Sequence, residues 1–173
     1  MEKPFKMLSD EHQNILKVIE ALTKEVNALE TGQALNKDFF NQAIDFIKNY
    51  ADKFHHVKEE DILFKELSKD SVQMDCNPME QMLHEHDLGR GFVKGIKQGL
   101  ERGNKEQIIK NSKEYSQLLQ EHIFKEDNIL YPMADQSLDQ KTQQAMLKEF
   151  KQAEDKKFAQ GTKDKYLSFV KKL

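Results

Sequence analysis

The 173-residue chain has no tryptophan and is poor in cysteine, proline and glycine, with one, three and seven residues. Cys76 stands alone, which excludes an internal disulfide and fits a reducing cytoplasm. It falls in an expected loop and reads as incidental. No apolar run is long enough to span a bilayer. The opening Met1-Glu2-Lys3-Pro4-Phe5 lacks the apolar region of a secretory signal. Net charge is only −3, so nothing pulls the chain strongly toward nucleic acid or an anionic membrane. The expectation is a cytoplasmic protein with neither of those partners.

Strand signals are missing too, because no stretch alternates apolar and polar residues. Helix formers dominate, and the three prolines, Pro4, Pro78 and Pro132, fall where helix ends are expected. The chain reads as all-α. A first helix is expected from Ser9 as N-cap to Gly32, and a second from about Asn36 to Leu67. After a loop over 68–77, a third opens with Asn77 as cap and Pro78 at its first position and closes at Gly103. Asn104 with Gln107 resembles a capping box for a fourth, which Pro132 stops. Beyond it, Ser137 caps a fifth helix carrying Met146, Leu147, Phe150 and Ala153. Gly161 separates that from a sixth with Tyr166, Phe169 and Val170. The third helix contains Gly89, Gly91, Gly95 and Gly99, each costing roughly 1 kcal/mol against alanine. Gly89 is expected to make room inside, and the other three to admit a neighbouring helix, with the C-terminal helices a candidate for that face.

The most informative stretch is His122-Ile-Phe-Lys125-Glu126-Asp127-Asn-Ile129-Leu-Tyr131-Pro132. His122 and Glu126 share one helix face, about 6 Å apart along the axis, with Tyr115, Leu118, Leu119, Ile129 and Met133. An imidazole and a carboxylate therefore point inward, where an unpaired charge is costly. The stretch has a copy at His55-His56-Val-Lys58-Glu59-Glu60-Asp-Ile62-Leu63-Phe64. His55 aligns with His122, Lys58 with Lys125, Glu59 with Glu126 and Phe64 with Tyr131. His56 and Glu60 have the same spacing but share a face with Asp45, Asn49, Asp52 and Lys53, so helical phase favours His55 and Glu59.

His12 lies in phase with Leu8, Ile15, Ile19, Leu22, Val26 and Leu29 on the first helix. His86, unlike His84, lies in phase with Met82, Val93 and Ile96 on the third. Four helices thus each turn one histidine inward, and two of them add Glu59 and Glu126. Side chains from four packed helices can meet at a bundle centre. Unpaired buried carboxylates are costly; a His–Glu ion pair would remove that cost in one copy, but a metal accounts better for both copies together with His12 and His86. With no thiolate in the set, iron, zinc or manganese suits it. Six ligands exceed one tetrahedral zinc; two metals, each with two histidines and sharing two glutamates and an oxide or hydroxide, use them all. With iron, such a site would bind O2, NO or peroxide.

These residues resemble the hemerythrin-like, or HHE cation-binding, proteins. The resemblance rests on Glu11-His12, on the stretch from His55 to Phe64, on Met82-Leu-His-Glu-His86-Asp-Leu-Gly-Arg90, and on the stretch from His122 to Pro132. It implies an up-down-up-down four-helix bundle over 1–133 holding a non-haem di-iron centre, with 134–173 as two additional C-terminal helices packed on the bundle in the same domain. The implied ligands are His12, His55, Glu59, His86, His122 and Glu126. Oxygen-carrying hemerythrins have a further histidine where this chain has Arg90, and they use an aspartate at the spacing where Asp127 stands, whereas phase and the first copy favour Glu126 here, so simple O2 carriage is not what the sequence favours. The wider group implies sensing of or protection against O2, NO or peroxide, consumption of NO or peroxide, or storage and donation of iron. Arg90 is read either as support for an anionic shell around the site or as an outward-reaching side chain. Tyr50 and Tyr131 are read either as hydrogen-bond donors or redox partners at the site, or as core aromatics. Turnover would need an electron source, and the sequence shows no flavin or haem motif, so it does not identify a redox or protein partner.

Overall fold

The computed structural model describes residues 3–74, 77–158 and 161–173. Cys76 lies outside the described residues. Helix α1 is Pro4–Glu30. Helix α2 is a continuous rod over 37–67, made of α-helical Lys37–Phe46, π-helical Ile47–His56 and Glu59–Leu63, and a last turn, Phe64–Leu67. Helix α3 is Met79–Arg102. Helix α4 runs over 105–137 as Lys105–Lys125, a π segment Glu126–Leu130 and Tyr131–Ser137. Helices α5, Gln140–Lys157, and α6, Thr162–Val170, complete the chain. The fold is all-α, with no strand among the described residues. Each of the first four helices touches its two neighbours around a ring, α4 closing back onto α1.

The local chemistry explains the boundaries. Pro4 starts α1 with its fixed φ at the first helical position, not Ser9 as expected. Ser9 lies inside the helix and donates to Asp127 at 2.6 Å. Asn36 accepts from the Phe39 N–H at 3.2 Å, and Asn77 from the Met79 N–H at 3.2 Å. Gly103 supplies the left-handed turn, φ +65°, that ends α3. Asn104 caps α4 by accepting from the Gln107 N–H, but the Gln107 side chain donates to the Gly95 carbonyl, so the cap is not reciprocal. Pro132 does not end α4. It opens a new α-helical stretch after the π segment, where proline is tolerated. Asp139, not Ser137, caps α5 through the Thr142 N–H at 2.7 Å.

A Cβ on Gly95 would fall 2.2 Å from the Asn111 side chain, and one on Gly99 would fall 2.8 Å from Ile108. These two glycines let α4 approach α3. Gly91 has no atom within 4 Å of such a Cβ and takes no part. Helices α5 and α6 pack instead on α1 and α2. Leu147, expected on an apolar face, is buried with Met146 and Phe150.

Two apolar clusters fill the bundle. One gathers residues such as Ile15, Leu22, Phe46, Val93 and Leu119; the other gathers Phe5, Leu8, Leu63, Met82, Leu130 and Phe150. On every helix a predicted ligand lies at the junction of the two clusters: His12 follows Leu8 and precedes Ile15, and Glu126 separates Ile123 from Leu130, with His122 one residue inside the first cluster's span. A polar layer is thus closed off at both ends by apolar packing.

Candidate metal centre

All six predicted ligands are buried, none more than 2% exposed. The structure brings them together in one layer, and adds a seventh residue. His12, His55, Glu59 and Glu126 offer ligand atoms within 4.8 Å of one another, and so do His56, Glu59, His86 and His122. Glu59 belongs to both groups.

The layer is built by near-duplication. On α1 the pair Glu11-His12, and on α3 the pair Glu85-His86, face the two copies of the repeat on α2 and α4. The Nδ1 of His55 lies 3.0 Å from Glu11 Oε2, and the Nδ1 of His122 lies 2.8 Å from Glu85 Oε2. Lys58 donates to Glu11 at 2.5 Å, and Lys125 donates to Glu85. The other two histidines are held across the halves, His12 Nδ1 at 2.9 Å from Asp127 and His86 Nδ1 at 2.7 Å from Glu60. Each carboxylate thus accepts an Nδ1–H, which fixes the ring and leaves Nε2 as the inward lone pair.

Those lone pairs then meet. His12 and His55 place their Nε2 atoms 2.9 Å apart, and His86 and His122 do the same at 2.9 Å. Two acceptors that close repel unless a proton or a cation stands with them. Glu126 reaches both halves, with Oε2 3.2 Å from His12 Nε2 and Oε1 3.1 Å from His122 Nε2. Glu59 Oε2 lies 3.7 Å from His55 Nε2 and 3.5 Å from His86 Nε2. Glu59 Oε2 and both Glu126 oxygens are buried without a hydrogen-bond partner. Orphaned carboxylate oxygens beside opposed imidazole lone pairs form a donor set that fits a pair of cations bridged by carboxylates.

Without a cation, protons alone must neutralise this layer, and they distribute unevenly. Burial opposes protonation of His12, but Asp127 and Glu126 raise its pKa to about 9. Burial is likewise overcome at His122 by Glu126 and Glu85, which raise it to about 10. Burial, reinforced by His12, pushes His55 well below the usual imidazole range. Burial and the nearby Glu126 push Glu59 well above the carboxylate range. Glu126 is held well below it by His122 and His12 despite its burial.

His56 corrects the sequence reading, which placed it on the polar face. It is buried, and its ring stacks on His86 with centroids 3.8 Å apart. Its Nδ1 has no hydrogen-bond partner, and Asp52 at 3.8 Å is too far to be one. The cause is the π-helical stretch that contains it: hydrogen bonds that skip one more residue advance the chain less per residue, so consecutive His55 and His56 both turn inward. In the second copy, within the π segment Glu126–Leu130, Ile129, assigned to the inward stripe, is exposed and Leu130 is buried. Glu59 and Glu126 each open a five-residue π segment at the same place in the two copies.

Of the five positions at which the two copies differ, two change the chemistry next to the ligands. His56 corresponds to Ile123, and Phe64 to Tyr131. Tyr131 donates to Glu59 Oε1 at 2.5 Å and stacks on His12, while Phe64 stacks on His86 without a polar atom. One half therefore gains an imidazole and the other a phenol. Tyr50 is a core aromatic, stacked on Phe46 and accepting from Asn14. Arg90 donates to Glu60 at 2.7 Å and to Asp52 at 2.8 Å, so it holds the carboxylate that orients His86, besides reaching Asp87 at the surface.

Sequence reasoning also passed over the carboxylates and lysines that fix the rings. A signal for them exists. Glu11-His12 and Glu85-His86 are the same dipeptide, and Lys58 and Lys125 hold the same place in the repeat.

The description "Hemerythrin HHE cation binding domain" belongs to the family whose pattern matches residues 3–134. That span covers the four bundle helices up to the last turns of α4. No curated protein matches the chain. The match and the buried cluster point to a metal-binding protein.

Proposed function

We propose that this chain, which belongs to the hemerythrin HHE cation-binding domain family, is a non-haem di-iron protein that binds or reacts with a small oxidant, O2, NO or peroxide, in sensing or in protection against stress. The observation that carries this reading is the opposition of Nε2 lone pairs at 2.9 Å in both halves, with Glu126 reaching one histidine of each. His12 and His55 would hold one iron, His86 and His122 the other, with His56 beside the second, and Glu59 and Glu126 would bridge. A pair of irons supplies reversible electron transfer to small oxidants. The residues around it set access and proton supply. The Glu11, Glu85, Glu60 and Asp127 carboxylates keep the four rings aimed. Tyr131, on the His12 side, donates its phenol proton to Glu59 across an oxygen–oxygen distance of 2.5 Å.

Chelator-free protein mixed with O2, NO and hydrogen peroxide in turn tests the reading, followed optically and by loss of each reagent. A stable spectral change at equimolar reagent supports binding, and continued loss of reagent supports turnover. An iron-loaded protein that changes with none of them contradicts it. Transfer of iron to an apo-acceptor faster than spontaneous loss would instead favour a store or donor.

A further inference from the structure

A cavity of about 300 Å³ runs from the surface to His56, His86 and His122, and His12 and His55 do not line it. Its body is apolar, formed by Ile44 and Ile47 of α2, Gly89 and Val93 of α3, and Tyr115 and Leu119 of α4. Its charged lining is mostly cationic: Lys48, Lys94, Lys97 and Arg90. The two acids that line it are engaged elsewhere, Asp52 with Arg90 and Glu85 with His122 and Lys125. Lys48 and Lys94 are exposed and have no ion pair among the described residues. Lys97 has only Glu101, at 3.7 Å.

The volume is far beyond what a diatomic molecule needs. At about 30 Å³ for each water-sized unit, it holds roughly ten non-hydrogen atoms. Inorganic anions gain nothing from apolar walls, and neutral apolar molecules gain nothing from unpaired lysines. A Cβ on Gly89 would make only ordinary contacts, 3.5 Å to Leu119 and 3.6 Å to Tyr115. Packing therefore does not require the glycine, and what it leaves is room in the cavity. We propose that this cavity binds a medium-chain organic carboxylate, its head among Lys48 and Lys94 and its apolar body directed inward toward His56. The site would give the protein a second, organic ligand next to one metal position only. The inference does not depend on which metal the centre holds.

Calorimetric titration of the metal-loaded protein with octanoate and with 1-octanol, at matched ionic strength, tests it. Saturable one-to-one binding of octanoate is expected, with 1-octanol about tenfold weaker or more. Lys48→Glu with Lys94→Glu should weaken octanoate by about tenfold, near 1.4 kcal/mol, and leave 1-octanol unchanged. Gly89→Leu should remove binding of both. Metal content and melting temperature, measured on every sample, separate a blocked cavity from a lost centre. Absence of saturable octanoate binding to the loaded, folded protein would overturn the proposal. So would equal affinity for the alcohol, or octanoate binding that ignores the charge reversal.

Discussion

Tyr131 and Glu59, on different helices and 72 residues apart in sequence, meet with the phenol oxygen 2.5 Å from the carboxylate. The partner position in the repeat is Phe64, so this contact exists in one half only. Tyr131→Phe removes the donor and leaves Glu59 Oε1 buried with one fewer partner. In the chelated protein the change should cost about 1–3 kcal/mol, measured by denaturant unfolding. A variant as stable as the parent would show that the contact contributes nothing.

His56 is the residue that distinguishes the structural reading of the centre from the sequence reading. Its ligand atom groups with those of Glu59, His86 and His122. His56→Leu should weaken one of the two metal positions by about tenfold or more and spare the other. His84→Leu, at an exposed position, should change neither. Stepwise metal titration of the chelated proteins checks this, and two unaltered positions in His56→Leu would remove the residue from the ligand set.

The carboxylates behind the rings should matter nearly as much as the ligands. Glu11→Ala frees His55 and leaves Lys58, fully buried against the Phe54 ring at 3.7 Å, with only the more distant Glu154 at 4.0 Å as counter-charge. Glu85→Ala frees His122 in the other half. Each should lower metal affinity by about 10- to 100-fold. Competition against a chromophoric chelator measures it, and affinities within twofold of the parent would contradict the role assigned to them.

Acid–base behaviour should differ between chelated and metal-loaded protein. His12 and His122 have folded pKa values of about 9 and about 10, both raised, against about 6.5 for free imidazole. In the chelated protein their protonation therefore stabilises the fold fully below about pH 6.5, and that contribution is lost as pH rises through 9 and then 10. In the loaded protein the same nitrogens are occupied, and protons compete on the acid side instead. The gap in melting temperature between loaded and chelated protein should widen from pH 6.5 to pH 9. A gap that stays constant or narrows would contradict the assignment of those two histidines.

The helices and the inward histidines were legible because they obey a single period: His12 keeps phase with Leu8, Ile15 and Ile19 over a regular α-helix. The rest failed where that period changes. Nothing in Ile47-Lys-Asn-Tyr-Ala-Asp-Lys-Phe-His-His56 announces π-helical hydrogen bonding, so a phase carried through it assigns His56 to the polar face. Ile129, assigned to the core, lies in the separate π segment Glu126–Leu130 and is exposed. Proline misled for the same reason, since Pro132 follows a break in the ladder that the sequence does not display. Ser9 and Ser137 are good caps by type, but Pro4 and Asp139 precede the helical turns that actually form. The carboxylates that hold the rings come from the neighbouring helix each time, and a linear pattern does not report such pairs.

The most direct measurement of the central claim is metal content of protein purified without chelator, with the optical spectrum of the same sample and of Glu59→Ala and Glu126→Ala. The account predicts close to two irons per parent chain with near-ultraviolet oxo-to-iron bands, and loss of the paired iron in each variant. Zinc alone, well under one metal per folded chain, or two irons retained in both variants would contradict it.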